Sequence, residues 1–397
     1  MRKTLLATLV MGLLVSTAAN ATESFAGERA QKIAQESIII DTHIDVPWRL
    51  INDWEDMTGA AERGDYDYER AKQGGLNAPF MAIYIPSRLE DNGAFALANQ
   101  LIDMVEAMVY RAPDKYAIAY SADDIQHHFD QGLISLPMGL ENGAPIEGDL
   151  AKLQHFYDRG VRYITLTHSE DNHISDSSYD DRGRWGGLSP FGKDLVKHMN
   201  QLGMLVDVSH ISDQAFYDVL EVTQVPVLAT HSSARAFTPG WERNMSDEMI
   251  QALAENGGVV QVTFGSAFVS AEANQYRAHL QQLSDAINAE HGEGTQAAQA
   301  ALVKMREANP YPYATYETVL DHFDHIIELV GIDHVGIGSD YDGVGDTLPE
   351  GLKDASTYPN LIQGFLDRGY SAQDIDKILH QNTLRVWRAA EAFAQQQ

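Results

Sequence analysis

The sequence predicts an α/β protein in which eight parallel strands close into a (β/α)8 barrel of the TIM type. Two observations carry this prediction: short apolar runs alternate with amphipathic segments along most of the 397 residues, and the runs number eight. A doubly wound open sheet is the alternative architecture. It would be expected to carry a glycine-rich phosphate-binding turn after an early strand, and the sequence has none.

The predicted strands are short runs rich in β-branched residues. Ile38-Ile39-Ile40 is the clearest, and such a run is typical of a strand that is buried on both faces. The eight predicted strands are residues 38–44, 79–85, 134–140, 161–167, 204–209, 226–231, 258–264 and 334–339.

Helices are predicted where apolar residues recur with helical spacing between these strands. Ser189 and Pro190 give one of them an N-cap and a first-turn proline, and Gly203 ends it. The clearest helical segments are residues 95–109, 148–158, 190–202, 212–222, 246–255 and 316–330.

Three segments depart from the alternation. Residues 46–78 are polar and glycine-rich and predict a long functional loop after the first strand. Residues 275–309 are rich in Ala and Gln and predict a helical hairpin inserted between strands seven and eight, which could cap a site or contribute to a dimer contact. Residues 372–397 predict a helix that packs back on the barrel, so residues 22–397 are expected to form a single domain.

The first 21 residues have the pattern of a secretory signal peptide. Two basic residues precede an apolar run too short to span a bilayer, and Ala19-Asn20-Ala21 resembles a cleavage site. An uncleaved membrane anchor is the alternative. We therefore expect an exported protein, periplasmic or secreted, with no membrane span in the mature chain.

The charge and the cysteine content exclude several classes of protein. The formal net charge is -29, which is unfavourable for binding nucleic acid or anionic lipid. The sequence contains no cysteine, so disulfides, structural zinc held by cysteine and thiol catalysis are all excluded.

Polar side chains follow most of the predicted strands, at the end where barrel enzymes place their sites. His43 and Asp45 are two residues apart and so project to the same side of an extended strand. With them, the residues predicted to share this rim are Glu141, His168, His210, His231 and Asp340.

This combination of imidazoles and carboxylates predicts a metal centre. The rim offers five to seven candidate ligands. Five protein ligands are already too many for one tetrahedral catalytic zinc, which keeps an open position for water, but they suit two ions that share a carboxylate. Glu141 is flanked by Gly139 and Gly143 and is the natural bridging ligand. Two such ions would acidify a bridging water and polarise a carbonyl, which is the chemistry of metal-assisted hydrolysis.

The same residues resemble those of the membrane (renal) dipeptidases, the M19 metallopeptidases of the amidohydrolase superfamily, over roughly residues 30–395. The matching segments are DTHID (41–45), GLENG (139–143), LTH (166–168), DVSH (207–210), HSSAR (231–235), RNM (243–245) and HVGIGSDYDG (334–343). The resemblance implies a metal-dependent hydrolase barrel that binds two Zn²⁺ per subunit and hydrolyses small dipeptides through a metal-bridging hydroxide. Dipeptides with a D-residue at the C-terminal position are among the substrates it suggests.

The resemblance also implies a role for each residue of the rim. His43 and Asp45 would bind one zinc, His210 and His231 the other, and Glu141 would bridge them. In addition, His168 would steady the oxyanion, Arg243 would bind the terminal carboxylate of the substrate, and Asp340 would contact the substrate amine and shuttle protons. The same ligand types also accept cobalt or manganese.

Three features depart from the family pattern. The opening motif has Thr42 and Ile44 around the histidine where relatives often have Gly and Asn. After strand seven the chain reads Thr263-Phe264-Gly265 where relatives often place a tyrosine near the substrate, and the insertion at 275–309 is longer than expected.

Two other functions stay open at this point. The first is another binuclear amidohydrolase that acts on a cyclic amide, lactone or phosphoester; many of these use a carboxylated lysine after strand four, where this chain has His168. The second is a non-catalytic binder of metal or peptide, which would have no need of a proton shuttle such as Asp340. The sequence does not determine the side-chain preference, the native metal, the pathway, the role of the insertion or whether the protein is a homodimer.

Overall fold

The strands form a closed parallel barrel in the computed structural model, which describes residues 25–397. The strands are β1 Ile40–Ile44, β2 Ala78–Tyr84, β3 Tyr116–Ile118, β4 Ile134–Leu136, β5 Met138–Glu141, β6 Val161–Thr165, β7 Leu205–Asp207, β8 Leu228–Ser232, β9 Val259–Val262 and β10 Val335–Ile337. The main sheet has eight strands in the order β1-β2-β5-β6-β7-β8-β9-β10. Its two edges meet where the amide of Asp340 donates to the carbonyl of His43 at 3.1 Å and the amide of Asp45 donates to that of Tyr341 at 2.9 Å. The predicted TIM-type barrel is therefore confirmed.

Helices surround the barrel. They are α1 Glu28–Glu36, α2 Val46–Asn52, α3 Tyr68–Gly74, α4 Ala94–Arg111, α5 Ala122–Asp130, α6 Leu150–Asp158, α7 Pro190–Leu202, α8 Asp213–Val222, α9 Asp247–Glu255, α10 Ser266–Val269, α11 Ala271–His291, α12 Gln296–Ala308, α13 Tyr316–Val330, α14 Tyr358–Asp367, α15 Ala372–Asp376 and α16 Asn382–Ala394. Single turns of 3-10 helix cover Ser87–Leu89, Ala144–Ile146, Arg235–Phe237 and Ile332–His334, and a π-helical turn covers Lys377–Gln381. Across residues 25–397, no helix combines the length and the apolar character needed to cross a bilayer.

The third predicted strand, 134–140, is wrong as a single element. Pro137 divides it into β4, which pairs with β3 in a separate two-stranded sheet, and β5, which belongs to the barrel. Proline has no amide hydrogen to donate to a neighbouring strand, so the ladder is interrupted there. Only the carbonyl of Pro137 takes part in the pairing, by accepting from the amide of Met81 at 2.8 Å.

Residues 46–78 were predicted as an irregular loop, but they contain α2 and α3. α2 begins directly after Asp45, with Pro47 in its first turn, where a missing amide hydrogen costs nothing. α3 is capped by Asp67, whose side chain accepts from the amide of Arg70. The predicted signal peptide lies outside the described residues.

Two apolar clusters form the core. The larger one joins alternate strand residues to the surrounding helices, for example Ile83 of β2 to Leu101 of α4. The smaller one includes Phe80, Tyr163 and Trp387, and all three side chains are completely buried. Because Trp387 belongs to α16, the C-terminal helix packs on the barrel and completes this cluster.

The predicted insertion between the last two barrel strands consists of α11 and α12, which we call the hairpin (residues 271–308). Its side chains are mostly exposed: Ala273 is the buried residue of α11, and Ala298 and Met305 are those of α12. The hairpin therefore projects from the barrel instead of forming part of its layer of helices.

Candidate metal centre

Glu141, the last residue of β5, lies among four histidines at the C-terminal rim of the barrel. Its Oε1 lies 3.4 Å from Nε2 of His168, 3.2 Å from that of His210 and 3.5 Å from that of His231. Its other oxygen, Oε2, lies 3.4 Å from Nε2 of His43. One carboxylate thus faces imidazole nitrogens from β1 and β8 and from the segments that follow β6 and β7.

Two further carboxylates lie on the β1 side of Glu141. Asp45 Oδ2 is 3.4 Å from His43 Nε2, and Asp340 lies next to Asp45. Asp340 has a positive φ of 66°, which turns the chain sharply after β10. Gly343 closes this turn so tightly that a Cβ there would clash with both carboxylates.

The donor atoms fit divalent metal ions. His43 Nε2 is buried and has no hydrogen-bond partner within residues 25–397, and Nε2 of His210 and of His231 are only 2.8 Å apart. Three sets of ligand atoms lie within 4.8 Å of one another. They are His43 with Glu141 and His231, Glu141 with His168 and His210, and His43 with Asp45 and Asp340. All seven predicted rim residues therefore meet at one cluster. His168 and Asp340 lie as close to this cluster as the five residues predicted to bind metal.

Burial and neighbouring charges set the protonation of this cluster. Burial raises the pKa of the Glu141 carboxyl, but the charge of His43 and hydrogen bonds from His210 and His231 outweigh it and hold that pKa well below its usual range. Burial lowers the pKa of His210 and of His231 well below the usual value, so both rings are neutral. Burial lowers the pKa of His43, but Tyr163, Glu141 and Asp45 outweigh it and raise that pKa well above its usual value, so a metal would displace a proton from this ring. An ionised carboxylate and neutral imidazoles are the forms that bind metal.

Hydrogen bonds to hydroxyl groups of β6 and β8 orient two of the histidines. Nδ1 of His43 lies 2.9 Å from the Tyr163 hydroxyl, and Nδ1 of His231 lies 2.9 Å from the Thr230 hydroxyl. In turn, Thr230 donates to Asp207 at 2.7 Å. Such partners direct the opposite ring nitrogen toward a metal and increase its basicity.

Two buried aspartates hold the strand ends together, and the sequence analysis missed both. Asp41 accepts the amides of His43 and Ser339 at 3.0 Å each, which joins β1 to the segment after β10. Asp207 accepts the amides of Ser209 and Thr230 at 3.0 and 2.8 Å. A carboxylate two or three residues before a histidine ligand, inside an apolar strand, was the available signal.

A cavity of about 610 Å³ opens above the cluster. Asp45, Glu141, His168, His210 and Asp340 form its floor. The walls come from the ends of strands and from the loops and helices that follow them, and the sequence analysis did not select these residues. The wall residues are Trp48, Tyr84, Ser169, Tyr179, Ala267, Phe268, Arg277, Gly343, Val344 and Thr347.

Comparison with known proteins agrees with this arrangement. The family model described as membrane dipeptidase (peptidase family M19) matches residues 27–397. The chain belongs to the membrane dipeptidase family. This membership makes it a metallo-dipeptidase, a hydrolase of the M19 type.

Relatives of known name and structure share most of the chain. Dipeptidase 3 of Mus musculus is 32% identical over 92% of this chain and 66% of its own length, so the chain spans about two thirds of that relative. Dipeptidase tcpJ of Claviceps purpurea is 31% identical over 84% of this chain and 71% of its own. The crystal structure of the probable dipeptidase PvdM from Pseudomonas aeruginosa is similar with a TM-score of 0.79 and 27% identity, and the match covers 92% of this chain and 98% of that one.

Arg243, which the family resemblance makes the carboxylate anchor, is only 2% exposed and does not line the cavity. Its Nη2 donates to the carbonyl of His231 at 2.7 Å and lies 3.1 Å from His210 Nε2, and its Nη1 donates to Ser232 at 2.8 Å. The Phe268 ring lies 5.2 Å from its guanidinium carbon. The guanidinium is thus next to the cluster, but Phe268 lies on the cavity side.

The departure of this dipeptidase from the family pattern after β9 has a structural counterpart. A Cβ at Gly265 would lie 2.9 Å from Val344 and 3.0 Å from Phe268, closer than side chains normally approach. Both of these residues line the cavity. Phe268 and Val344 therefore form the part of the cavity wall next to Gly265.

Proposed function

We propose that this metallo-dipeptidase hydrolyses the peptide bond of small free dipeptides with two zinc ions held at the rim of the barrel. The observation that carries the proposal is the position of Glu141, whose two oxygens lie 3.2–3.5 Å from the nitrogens of four histidines. A carboxylate in that position can bridge two cations, and the histidines on either side can complete their ligand shells.

His43 and Asp45 would hold one zinc, His210 and His231 the other, and Glu141 would bridge them. When bound, the two ions would supply an acidified water as nucleophile and would polarise the peptide carbonyl. Cobalt and manganese also suit these ligands. Zinc is proposed because the donors fit it and because the chain resembles the zinc-dependent dipeptidases.

The protein's own residues would bind and orient the substrate and move its protons. Burial lowers the pKa of His168, so its ring is neutral, and a neutral ring can donate its one N–H to the developing oxyanion. Burial, and then the neighbouring Asp45, raises the pKa of Asp340 well above its usual range. An acid that retains a proton beside the substrate amine can deliver it to the leaving nitrogen.

Arg243 would pair with the terminal carboxylate of the substrate. A guanidinium forms two parallel hydrogen bonds to a carboxylate, and Arg243 already lies against His210. The Phe268 ring, which lines the cavity, lies 5.2 Å from the guanidinium carbon, beside the terminal carboxylate of the proposed substrate. Dipeptides with a D-residue at the C-terminal position are included in the proposal.

We further propose that the protein is exported through residues 1–21 and works in the periplasm or outside the cell. We also propose a homodimer, since the projecting hairpin offers a surface on which a second copy could pack. The net charge of -29 is consistent with partners that are small molecules and not nucleic acid.

The test is hydrolysis of L,L and L,D dipeptides by mature protein that has been stripped of metal and then given two equivalents of zinc. N-blocked and C-amidated dipeptides serve as substrate controls. We expect zinc-dependent cleavage of the free dipeptides alone. The variant E141Q should lose both zinc and activity, whereas E242Q, at an exposed glutamate next to Arg243, should keep them.

Two outcomes would contradict the proposal. A fully zinc-loaded protein that cleaves no dipeptide would point instead to an amidohydrolase with a cyclic amide, lactone or phosphoester as substrate. An E141Q variant with full zinc content and full turnover would show that Glu141 does not bridge the metals.

A further inference from the structure

One wall of the cavity carries a basic side chain that no step of the proposed mechanism uses. Arg277 of α11 lines the cavity together with Phe268 and Thr347. Within residues 25–397 it is the one lysine or arginine that does so, and the remaining acidic or basic groups at the cavity surface are those of the floor cluster. The hairpin thus contributes a positive charge to a site that is otherwise rich in carboxylates.

The start of α11 is held against α10 and against the segment after α12, which places Arg277 at the cavity. Asn274 donates from Nδ2 to the carbonyl of Ala267 at 3.2 Å, and the Tyr276 hydroxyl donates to the carbonyl of Asn309 at 2.7 Å. Ala273 is 2% exposed and faces the body of the protein. Arg277, four residues later, lies on the same side of the helix, one turn farther along.

The guanidinium of Arg277 is free to bind a ligand. The side chain is exposed, and within residues 25–397 it makes no hydrogen bond and no ion pair, in contrast to Arg368, which donates to Asp321 at 2.7 Å and also to Asp324. Arg243 donates to the Ser232 hydroxyl and to a main-chain carbonyl. Of these three arginines, Arg277 is the one whose donors are all available.

We propose that Arg277 binds a carboxylate side chain of the substrate, so that the enzyme prefers dipeptides that contain an acidic residue. This inference rests on the proposed dipeptidase function and names its substrate class. A planar guanidinium fork matches a carboxylate, and a local positive charge at the cavity wall offsets the repulsion between an anionic substrate and a chain of net charge -29. Arg243 is left to the terminal carboxylate, which every free dipeptide carries.

The experiment compares each acidic dipeptide with its neutral amide counterpart of the same shape. The zinc-loaded enzyme is given Ala-Glu against Ala-Gln and Glu-Ala against Gln-Ala, in L,L and L,D forms, and kcat/KM is measured for each. We expect wild type to favour one acidic member, and R277Q to reduce that acid-to-amide ratio by about 5-fold, as for an exposed ion pair. Added salt should lower the wild-type ratio and leave the R277Q ratio unchanged.

The dipeptide pair whose acid-to-amide ratio changes in R277Q identifies which residue of the substrate Arg277 binds. R277K should retain part of the preference, because it keeps the charge and loses the fork. The matched control is R306Q, since Arg306 is an exposed arginine of α12 that does not line the cavity. This variant should keep the wild-type ratio for both pairs.

A loss of kcat/KM in R277Q that is equal for acidic and neutral dipeptides would overturn the inference, because Arg277 would then bind the terminal carboxylate. An unchanged ratio in R277Q would overturn it as well. In both cases the dipeptidase function would stand. Failure of zinc-loaded wild type to cleave any dipeptide would instead overturn the proposed function and this inference together.

Discussion

The Tyr163 hydroxyl lies 2.9 Å from Nδ1 of His43, and the opposite nitrogen of that ring faces Glu141 at 3.4 Å. Phe80 and Trp387 continue the contact away from the rim: the Tyr163 and Phe80 ring centroids are 5.6 Å apart and those of Phe80 and Trp387 are 5.4 Å apart. A candidate metal ligand on β1 is thus supported by aromatic packing that extends to the C-terminal helix.

Replacing Tyr163 by Phe should weaken zinc binding without unfolding the protein. The ring and its packing remain, but Nδ1 of His43 loses its partner, and loss of such a partner typically lowers metal affinity by about 10-fold or more. Competition with a chelator measures the effect. Y116F is the matched control, because it removes a buried hydroxyl that donates to the carbonyl of Met57 away from the cluster. Equal zinc affinity in Y163F and wild type would show that the hydroxyl does not support the ligand.

Replacing Asp340 by Asn should lower kcat by about 100-fold while the zinc content stays the same. Asn has the same shape and fits beside Gly343, but it cannot carry the proton that the leaving nitrogen needs. Steady-state kinetics and metal analysis of the same preparation separate the two effects. D346N is the control, since Asp346 lies in the same loop with its side chain 86% exposed. A D340N variant with the turnover of wild type would exclude Asp340 as the proton donor.

Replacing Arg243 by Lys should raise KM by about 10-fold or more for free dipeptides, because a lysine cannot form the paired hydrogen bonds of a guanidinium. The increase should be the same for neutral and acidic dipeptides, in contrast to the selective effect expected for R277Q. Kinetics on both substrate classes, with R277Q measured alongside, tests this difference. An R243K variant with unchanged KM would contradict the assignment of the terminal carboxylate to Arg243.

His322 should make the fold less stable in mild acid. Its Nδ1 accepts the amide of Ala234 at 3.1 Å and its Nε2 donates to the carbonyl of Val269 at 3.1 Å, and burial lowers its pKa from 6.5 to about 4. Between these values the unfolded chain takes up a proton that the folded chain does not. The free energy of unfolding should therefore fall as pH falls from 6.5 to 4, by about 3 kcal/mol in all.

Thermal unfolding of zinc-free protein from about pH 7 to about pH 5 checks this sign. H322Q keeps a group that can donate a hydrogen bond but has nothing to titrate, so its Tm should fall less over this range. H279Q, at an exposed histidine of the hairpin, should follow wild type. Parallel Tm curves for H322Q and wild type would show that His322 does not contribute to the acid sensitivity.

The barrel and its rim could be predicted because the signals are local. Each strand is an apolar run, and His43, Glu141, His168, His210 and His231 stand at the end of such runs or directly after them, so their convergence follows from the topology alone. The errors were local as well. Pro137 interrupts what the apolar pattern predicts as one strand. Pro47 in the first turn of α2 is the signal that a helix, and not a loop, follows Asp45.

The walls of the cavity could not be predicted in the same way. Trp48, Tyr84, Tyr179 and Arg277 come from four separate segments, and nothing in their sequence positions shows which side chains face a common space. The hydrogen bond between Tyr163 and His43 spans 120 residues and depends on the register of β6. Such contacts form only in the assembled fold, so they cannot be predicted from the periodicity of the sequence.

The hairpin enters and leaves the barrel between β9 and β10, whereas the five proposed metal ligands are all supplied upstream of it, between β1 and β8. The hairpin, which would select the substrate side chain, is therefore a stretch of the chain separate from the metal ligands before it and from Asp340 after it. Insertions, deletions and substitutions in residues 271–308 can change which dipeptide is accepted while every ancestor along the way keeps a complete metal centre. Such an enzyme can acquire a new substrate preference by small steps, none of which removes its metal centre.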